Sequence, residues 1–292
     1  MRVDFLQPAS WAEALQARAE RPDALAIAGG TDVMVELNFD RRRPGALLDL
    51  TRVPELREWS VVDGAVRLGA GVTYARVIDE LGDRLPGLAM ASRTVGSPQI
   101  RMRGTVGGNV GSSSPAGDAL PPLLASSATV EVASAARGTR LMPADEFFTG
   151  VKRNAMAEDE LITAVHVPLA DGPEQYSKVG TRNAMVIAVS AFALALHPAR
   201  RAVGTGIGSA APTPRRAVDA ETYLAGELEA AGLWDTRQPL PEGLAAEFGS
   251  RVAAAASPID DVRGSAAYRR HSLAVMARRA VTWAWDDHRK AA

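Results

Sequence analysis

The sequence predicts an α+β protein with two domains, and three observations support this prediction. Short apolar runs bounded by glycine, proline or an Asp-Gly pair predict strands in both halves of the chain. Residues 268–285 have the spacing of a long amphipathic helix. The composition changes after Asp171-Gly-Pro-Glu, a typical linker, and 292 residues are enough for two hydrophobic cores. We therefore expect one domain over residues 1–170 and another over residues 171–292.

The first 57 residues predict a small subdomain of short strands and helices. Phe5 begins a strand that ends at Pro8, and Ser10 with Glu13 forms a capping box at the start of a helix. The remaining runs are two strands over residues 24–28 and 46–50, and residues 33–37, which fit either a helix or a strand.

Residues 58–170 predict a second subdomain that contains several hairpins. The Asp63-Gly64 pair separates two β runs and is a strong hairpin signal. Thr73 is placed to cap a helix that Gly82 ends. The further elements expected here are helices over residues 88–95 and 119–125, a hairpin of residues 128–133 with 139–142, and a strand over residues 161–167.

The second domain predicts a small antiparallel sheet with helices. The expected strands cover residues 176–180, 187–196 and 201–209, and the expected helices cover residues 217–230, 244–256 and 268–285. In the last helix, one face with an expected role in core packing carries Leu273, Met276, Ala280 and Trp283. The arginines expected as surface or interface charges are Arg269, Arg270, Arg278 and Arg279.

Two glycine-rich segments carry the functional signal. The first glycine segment, residues 29–32, follows a short buried strand, and the second glycine segment, residues 104–118, combines glycines with Thr105, three serines, Asn109 and Asp118. We interpret the second segment as a loop, and ligand binding is favoured over a flexible linker. Glycine permits positive φ and a close approach of ligand to backbone, and consecutive free amides attract phosphate. Together the two segments would suit a diphosphate.

Neither segment has the Gly-x-Gly-x-x-Gly spacing of a Rossmann fold or the lysine of a P-loop. Composition excludes other chemistries. The net charge of −1 gives no reason to expect a nucleic-acid partner, and the absence of cysteine excludes disulfides, thiolate nucleophiles and cysteine-ligated iron–sulfur clusters. The four histidines form no metal-binding motif. No apolar run approaches the roughly 18 residues of a membrane helix, so a cytoplasmic location is expected without membrane insertion.

Several motifs, in this order, resemble the FAD-binding medium subunit of the molybdenum hydroxylases, the xanthine dehydrogenase and carbon monoxide dehydrogenase family. They are Ala28-Gly-Gly-Thr-Asp32, Thr105-Val-Gly-Gly-Asn-Val-Gly with Ser114-Pro-Ala-Gly-Asp118, Glu158-Asp-Glu-Leu-Ile-Thr163 with Val167-Pro168, Lys178, Arg182 and Ala188, and Tyr268-Arg-Arg270 with Arg278-Arg279-Ala280. The resemblance spans essentially the whole chain. It implies an FAD-binding unit of the vanillyl-alcohol-oxidase-like (PCMH) type, with subdomains at residues 1–57 and 58–170, and a carboxy-terminal α+β domain.

The resemblance also implies roles for individual residues. The two segments would bind the FAD pyrophosphate, Asp118 and Ser114 would lie near the flavin, Leu161 and Ile162 would lie against the cofactor, and Lys178 would reach toward the isoalloxazine. No residue is implied as a catalytic acid or base. The complete set implied at the cofactor is Ile27, Ala28, Gly29, Gly30, Thr31, Asp32, Val33, Gly104, Thr105, Gly107, Gly108, Asn109, Ser114, Asp118, Leu161, Ile162 and Lys178. Two alternatives stay open: Asp118 could cap a helix, and Lys178 could be a solvated strand residue.

The implied function is electron transfer within a heteromeric oxidoreductase. Electrons would pass from [2Fe–2S] clusters in a small partner subunit through FAD to NAD⁺ or another acceptor, while a large partner subunit would hold the molybdenum cofactor. A heterotrimer or its dimer is expected. The absence of cysteine agrees, because this chain cannot ligate such clusters itself. The alternatives are a free-standing FAD-dependent oxidase or reductase and a non-catalytic FAD-binding scaffold.

Overall fold

A computed structural model describes residues 3–291, and the described chain contains four small sheets with helices packed around them. This mixed architecture confirms the predicted α+β class. The first sheet is parallel, with strand order β1-β3-β2, and comprises β1 (Asp4–Leu6), β2 (Leu25–Ile27) and β3 (Ala46–Asp49). Two helices accompany it, α1 (Trp11–Glu20) and α2 (Val33–Asn38). Residues 33–37, which fitted a helix or a strand, are therefore helical.

The capping predicted for α1 is present in the structure. The hydroxyl of Ser10 accepts a hydrogen bond from the amide of Glu13, and the carboxylate of Glu13 accepts one from the amide of Ala9. The first bond satisfies a backbone donor in the first turn of the helix, whereas the second reaches Ala9, one residue before the N-cap Ser10, instead of the Ser10 amide of a standard capping box.

The second sheet is antiparallel and has the strand order β4-β5-β10-β6-β7. Its strands are β4 (Trp59–Val62), β5 (Ala65–Gly69), β6 (Thr129–Ser134), β7 (Gly138–Pro143) and β10 (Leu161–Pro168). The hairpin at Asp63-Gly64 is confirmed, with both residues at positive φ. A small sheet of β8 (Phe148–Gly150) and β9 (Arg153–Asn154) follows α8 (Ala144–Phe147).

Five helices lie between β5 and β6 in the chain. They are α3 (Tyr74–Glu80), α4 (Pro86–Thr94), α5 (Pro98–Arg103), α6 (Val106–Ser112) and α7 (Leu120–Ala125). The prediction of a loop for the second glycine segment is therefore wrong for the part that forms α6. Thr105 caps this helix, and Gly107 packs against the backbone of Ala70, where any Cβ would collide. The glycines thus allow close packing of the helix. The segment has no amphipathic pattern, so the sequence did not predict this helix.

The third sheet is antiparallel, with the order β11-β12-β13, as predicted for the second domain. It contains β11 (Glu174–Val179), β12 (Ser190–His197) and β13 (Ala202–Gly208). Its helices are α9 (Val218–Ala230), α10 (Leu233–Thr236), α11 (Leu244–Ala255) and α12 (Ala266–Lys290). The side chains of β12, α9, α11 and α12 form a core separate from the core around the second sheet.

Two predictions for α12 are wrong. Arg269 is buried rather than at the surface, and its guanidinium donates to the carbonyl groups of Val189 and Ser209 and pairs with Asp261 at 2.6 Å. Trp283 is 48% exposed, whereas Trp285 is buried against Trp234. Trp283 lies at the edge of the buried face of the helix. The predicted face differs from the buried face by a rotation of part of a turn about the helix axis, so the prediction included Trp283 and left out Trp285.

The helix α7 packs directly on β12 and β13. Gly204 and Gly206 face the carbonyl oxygens of Ala125 and Pro121, so closely that a Cβ at either glycine would collide with them. Small side chains continue this contact at Ala91, Ala191 and other alanines. We call this contact between residues before and after position 170 the glycine–alanine seam.

Within residues 3–291, no helix is both long enough and apolar enough to span a membrane.

The stability of the protein depends on pH through the carboxyl group of Glu174, which lies on β11 at the seam. It accepts a hydrogen bond of 2.7 Å from the amide of Gly87 in α4, and burial raises its pKa from 4.5 to about 7. Because the folded-state pKa is the higher one, this carboxyl contributes most to stability below about pH 4.5. That contribution is lost as the pH rises toward 7.

We therefore predict that wild-type protein loses more unfolding free energy than Glu174→Gln between about pH 5 and 8. The difference is at most roughly 3 kcal/mol, from about 1.4 kcal/mol per pKa unit. Urea unfolding at both pH values measures it, with Glu242→Gln at an exposed carboxyl as the control. Parallel pH profiles of wild type and Glu174→Gln would contradict the prediction.

Candidate functional site

The first glycine segment forms a turn with unused backbone donors. Gly30 has a φ of 76°, and its carbonyl accepts the first helical hydrogen bond of α2, from the amide of Met34. Among the described residues, the amides of residues 29–33 donate to no protein acceptor. Successive free amides around a residue with positive φ form a concavity that attracts anions. The turn is half-buried, so a ligand can reach it.

The two glycine segments contact each other. Gly29 lies against the carbonyl group of Arg103, so closely that a Cβ would collide with it. Thr105 forms an isolated bridge with Thr73, and its hydroxyl accepts from the amide of Gly108 at 2.9 Å. The amide of Val106 donates to the carbonyl of Val72. The second segment therefore has fewer free amides than we expected, because the amides of Val106 and Gly108 already donate to Val72 and Thr105.

Tyr74 lies behind the junction of the two segments. Its ring packs on Gly104, and its amide donates to the Gly104 carbonyl at 3.1 Å. The side chain is buried, which raises the pKa of its phenol well above the usual value, with the nearby carboxylates Asp118 and Asp32 acting in the same direction. The phenol is thus neutral at physiological pH. Tyr74 was not predicted as a site residue from the sequence, because one tyrosine at the start of a helix carries no motif.

The turn over residues 114–118 is held by Asn109. The Asn109 side-chain oxygen accepts from the amide of Ala119 at 3.3 Å, and the same side chain packs over Gly117. The hydroxyl of Ser114 accepts from the amide of Ala116 at 3.3 Å. Ser114 therefore stabilises the turn itself, and the expected hydrogen-bond network with Asp118 is absent from the contacts of the described residues.

Asp118 forms a buried ion pair across the seam. Its Oδ2 lies 2.6 Å from Nζ of Lys178, and its Oδ1 accepts a hydrogen bond of 3.1 Å from the hydroxyl of Tyr176. The Lys178 ammonium also donates to the carbonyl of Thr94 at 3.2 Å. The two paired side chains are only 7% and 11% exposed. Both open alternatives are thereby resolved: Lys178 is not solvated, and Asp118 caps no helix, because α7 begins at Leu120 after Ala119 without a side-chain cap.

Burial is the largest influence on Asp118 and raises the pKa of its carboxyl, while Lys178 and Tyr176 act to lower it. A buried carboxylate is stable only with compensating partners. Asp118 has one partner on each oxygen, and each carboxylate oxygen can accept a second hydrogen bond. The group can therefore still bind a ligand donor.

These residues surround a cleft of about 250 Å³. Residues from both sides of the seam line it, namely Asp32, Tyr74, Val95, Gly96, Asn109, Ala116, Gly117, Asp118, Met185, Val186 and Ile187. Of the predicted site residues, Asp32, Asn109 and Asp118 line the cleft, and Gly29 and Gly104 lie at the junction beside it. A larger groove of about 480 Å³ between α11 and α12 shares no residue with this cleft.

One wall of the cleft was not predicted from the sequence. Residues 185–187 fold back so that Val186 packs on Gly180, and Met185 has a φ of 51°. Met185 and Ile187 are 55% and 60% exposed. No motif marks this segment, and its position follows only from the tertiary contact. Leu161 and Ile162 are buried at the start of β10, with Ile162 next to Gly111, and are not part of the cleft lining.

Comparisons with known proteins agree with this arrangement. Residues 1–170 match the family described as FAD binding domain in molybdopterin dehydrogenase, and residues 175–284 match the CO dehydrogenase flavoprotein C-terminal domain. The fold and these matches define a flavoprotein subunit of the oxidoreductase class. The chain belongs to the family of FAD-binding medium subunits of the molybdenum hydroxylases, which confirms the resemblance seen in the sequence.

Relatives of several specificities are similar over most of their length. The medium subunit of nicotine 6-hydroxylase from Paenarthrobacter nicotinovorans is 31% identical over 96% of both chains. A putative xanthine dehydrogenase FAD-binding subunit from Escherichia coli is 33% identical over 75% of this chain and 78% of the relative. A chain in the structure of carbon monoxide dehydrogenase from Hydrogenophaga pseudoflava is 27% identical and superimposes with a TM-score of 0.88 over 99% of both chains.

The contact of Gly29 with Arg103 predicts a specific sensitivity to substitution. Gly29→Ala should destabilise the protein by about 1–3 kcal/mol, because the added Cβ forces the two glycine segments apart. Thermal unfolding measures the effect. Gly226→Ala in α9 is the matched control, since a Cβ there meets no atom within 4 Å, and it should leave stability unchanged or slightly raised. Equal melting temperatures for Gly29→Ala and wild type would show that the segments are not in close contact.

Proposed function

We propose that the cleft binds FAD and that the chain transfers electrons between the iron–sulfur clusters of a partner subunit and an acceptor such as NAD⁺. The observation that carries the proposal is that the turn of residues 29–33, with its free amides (the free-amide turn), and Asp118 meet at one cleft in a chain of this family. Bound FAD would supply the redox chemistry, and the chain would bind, orient and electrostatically tune it.

The described residues fit the chemical groups of FAD. The amides of residues 29–33 offer donors for the pyrophosphate, and glycine at positions 29 and 30 leaves the backbone open to it. The hydroxyl of Thr105 accepts from Gly108 and keeps its own proton as a further donor. Asp118 offers an acceptor in the same cleft, and Tyr74, Val95 and residues 185–187 contribute apolar surface to its lining. Small-molecule and cofactor sites typically combine apolar enclosure with a few polar contacts.

The proposal keeps every residue that the resemblance implied at the cofactor, but it gives these residues different roles. Residues 27–33 and Gly104, Thr105 and Gly107 would bind the pyrophosphate region, whereas Gly108 and Asn109 would support it through helix α6. Ser114 would maintain the turn that presents Asp118, and Lys178, paired with Asp118, keeps the role toward the isoalloxazine that the resemblance implied. Leu161 and Ile162 would support the cofactor from the core of the second sheet. The proposed domains are residues 1–170, with subdomains 1–57 and 58–170, and residues 171–292.

The proposed partners follow from what this chain lacks and from its relatives. The sequence contains no cysteine to ligate clusters, and the relatives are named medium subunits or chains. We therefore propose a large molybdenum-cofactor subunit and a small [2Fe–2S] subunit, in a heterotrimer or its dimer. A cytoplasmic location belongs to the same proposal, since a chain without cysteine needs no oxidising compartment.

Affinity purification of the tagged chain with its natural partners tests the assembly. We expect one FAD per chain from the visible flavin spectrum, with molybdenum and iron in the co-purified subunits by metal analysis. A yellow monomer that turns over substrate alone would favour a free-standing oxidase. A flavin that no partner or acceptor reoxidises would favour a scaffold.

The free-amide turn gives a variant test of cofactor binding. Gly30→Val places a β-branched residue at a φ of 76° and should weaken FAD binding at least tenfold, about 1.4 kcal/mol, because the turn must rearrange. Flavin fluorescence quenching measures the dissociation constant.

Gly64→Val is the matched control for backbone strain. Gly64 has the same φ of 76° in the hairpin of β4 and β5, and a Cβ there meets no atom within 4 Å. Both variants should lose similar stability, but only Gly30→Val should lose FAD. Unchanged FAD affinity in Gly30→Val would contradict the assignment of the turn.

A further inference from the structure

One ion pair links helix α2 to the hairpin of β8 and β9. No residue of α2 is buried, and Met34 and Val35 on this helix are exposed. The hydrogen bonds of residues 33–43 go to the same segment or to the turn before it, with one exception within residues 3–291. In that exception, the Nζ atom of Lys152 donates to Oε1 of Glu36 at 2.6 Å. The pair is therefore the polar contact that ties α2 to another part of the protein.

The hairpin that carries Lys152 is anchored on the end of α6. The amide of Lys152 donates to the carbonyl of Ser113 at 3.1 Å. The side-chain amide of Asn154 donates to the carbonyl of Gly111 at 3.2 Å and to the hydroxyl of Ser113 at 3.1 Å. Because these bonds fix the backbone of the hairpin, the ion pair connects α2 to α6 and not to a free loop.

The first glycine segment and α2 are thus held at two points along α6. Just before α6 begins, the carbonyl group of Arg103 lies against Gly29. Just after α6 ends, Lys152 holds Glu36. The free-amide turn of residues 29–33 lies between these two contacts. A single contact would let the turn pivot, whereas two contacts fix its orientation.

We propose that Lys152 and Glu36 are positioning residues that fix the free-amide turn in the orientation in which its amides bind the diphosphate of the cofactor. The inference rests on the proposed binding of FAD to this turn. In this role neither side chain contacts the cofactor. A turn that is already fixed loses less conformational freedom when the ligand binds, so the ion pair increases affinity by increasing the fraction of chains that are ready to bind.

Arg42 provides a matched control, because it faces the same carboxylate. Its guanidinium lies 3.7 Å from Oε2 of Glu36, and its side chain is 55% exposed, compared with 59% for Lys152. Arg42 follows α2 in the same segment, so its contact with Glu36 does not connect α2 to α6. Removal of either cation changes the net charge equally, but only removal of Lys152 breaks the connection.

The first test is the dissociation constant of FAD for the full chain, measured by flavin fluorescence quenching at low salt. Lys152→Met and Glu36→Gln should each weaken binding about two- to fivefold, the range expected for an exposed ion pair, and the double variant should bind no more weakly than either. Lys152→Arg should retain most of the wild-type affinity, and Arg42→Met should match wild type. At about 0.5 M salt the ratio of variant to wild type should approach one, because salt screens the pair.

Two further measurements locate the effect. ADP, which carries the diphosphate, should lose affinity for Lys152→Met by the same factor as FAD, whereas riboflavin, which has no phosphate, should bind wild type and Lys152→Met equally. Hydrogen exchange at the backbone amides of α2 in the FAD-free chain should be faster in Lys152→Met than in wild type or Arg42→Met. Circular dichroism establishes that each variant is folded.

Three results would overturn the proposal. FAD binding that is weaker in Lys152→Met but unchanged or tighter in Glu36→Gln would show that the ammonium contacts the cofactor directly. Equal losses of affinity in Lys152→Met and Arg42→Met would assign the effect to net charge. Wild-type affinity and wild-type exchange in Lys152→Met would show that the pair does not fix the turn. Failure of the wild-type chain to bind FAD would instead overturn the proposed function, and with it any role of the pair in cofactor binding.

Discussion

The close packing of helix α7 on strands β12 and β13 is the contact on which the site depends. Gly204 and Gly206 lack side chains where the carbonyl groups of Ala125 and Pro121 approach, so helix and sheet meet backbone to backbone. Asp118 precedes α7 by two residues, and its partners Tyr176 and Lys178 lie on β11 of the same sheet. Larger side chains in the seam would separate the carboxylate from its cation. The electrostatics of the cleft are therefore a consequence of a steric fit.

Several polar groups are buried or half-buried along this seam, and each has a partner on the opposite side. Asp118 pairs with Lys178, Glu174 accepts from the amide of Gly87, and the ring of His197 contacts the carbonyl of Ala125. A buried polar group that loses its partner is costly, so these contacts favour one arrangement of the two parts over alternatives. Because residues from both parts line the cleft, the same contacts also fix the shape of the cleft.

Elements with strong local signals are predictable from the sequence. The hairpin of β4 and β5, the capped helices α1 and α3 and the three strands of the last sheet all carry turn, cap or apolar patterns that act over a few residues. Local patterns do not predict an element where packing overrides local preference. Helix α6 is rich in glycine and forms because Gly107 can approach Ala70, and no short-range pattern encodes that approach.

Family membership and the two glycine segments were determined by the sequence alone. The motifs of glycine, threonine and acidic residues can be recognised from their order along the chain, without knowledge of the tertiary structure. Only the tertiary structure decided that Asp118 and Lys178 form a buried ion pair, since the two side chains are 60 residues apart in the sequence. The same holds for Tyr74, Met185 and Ile187, whose shared position depends on how Gly104 and Gly180 admit neighbouring side chains. Spatial proximity across the seam is a property of the packed chain, and local sequence patterns carry no record of it.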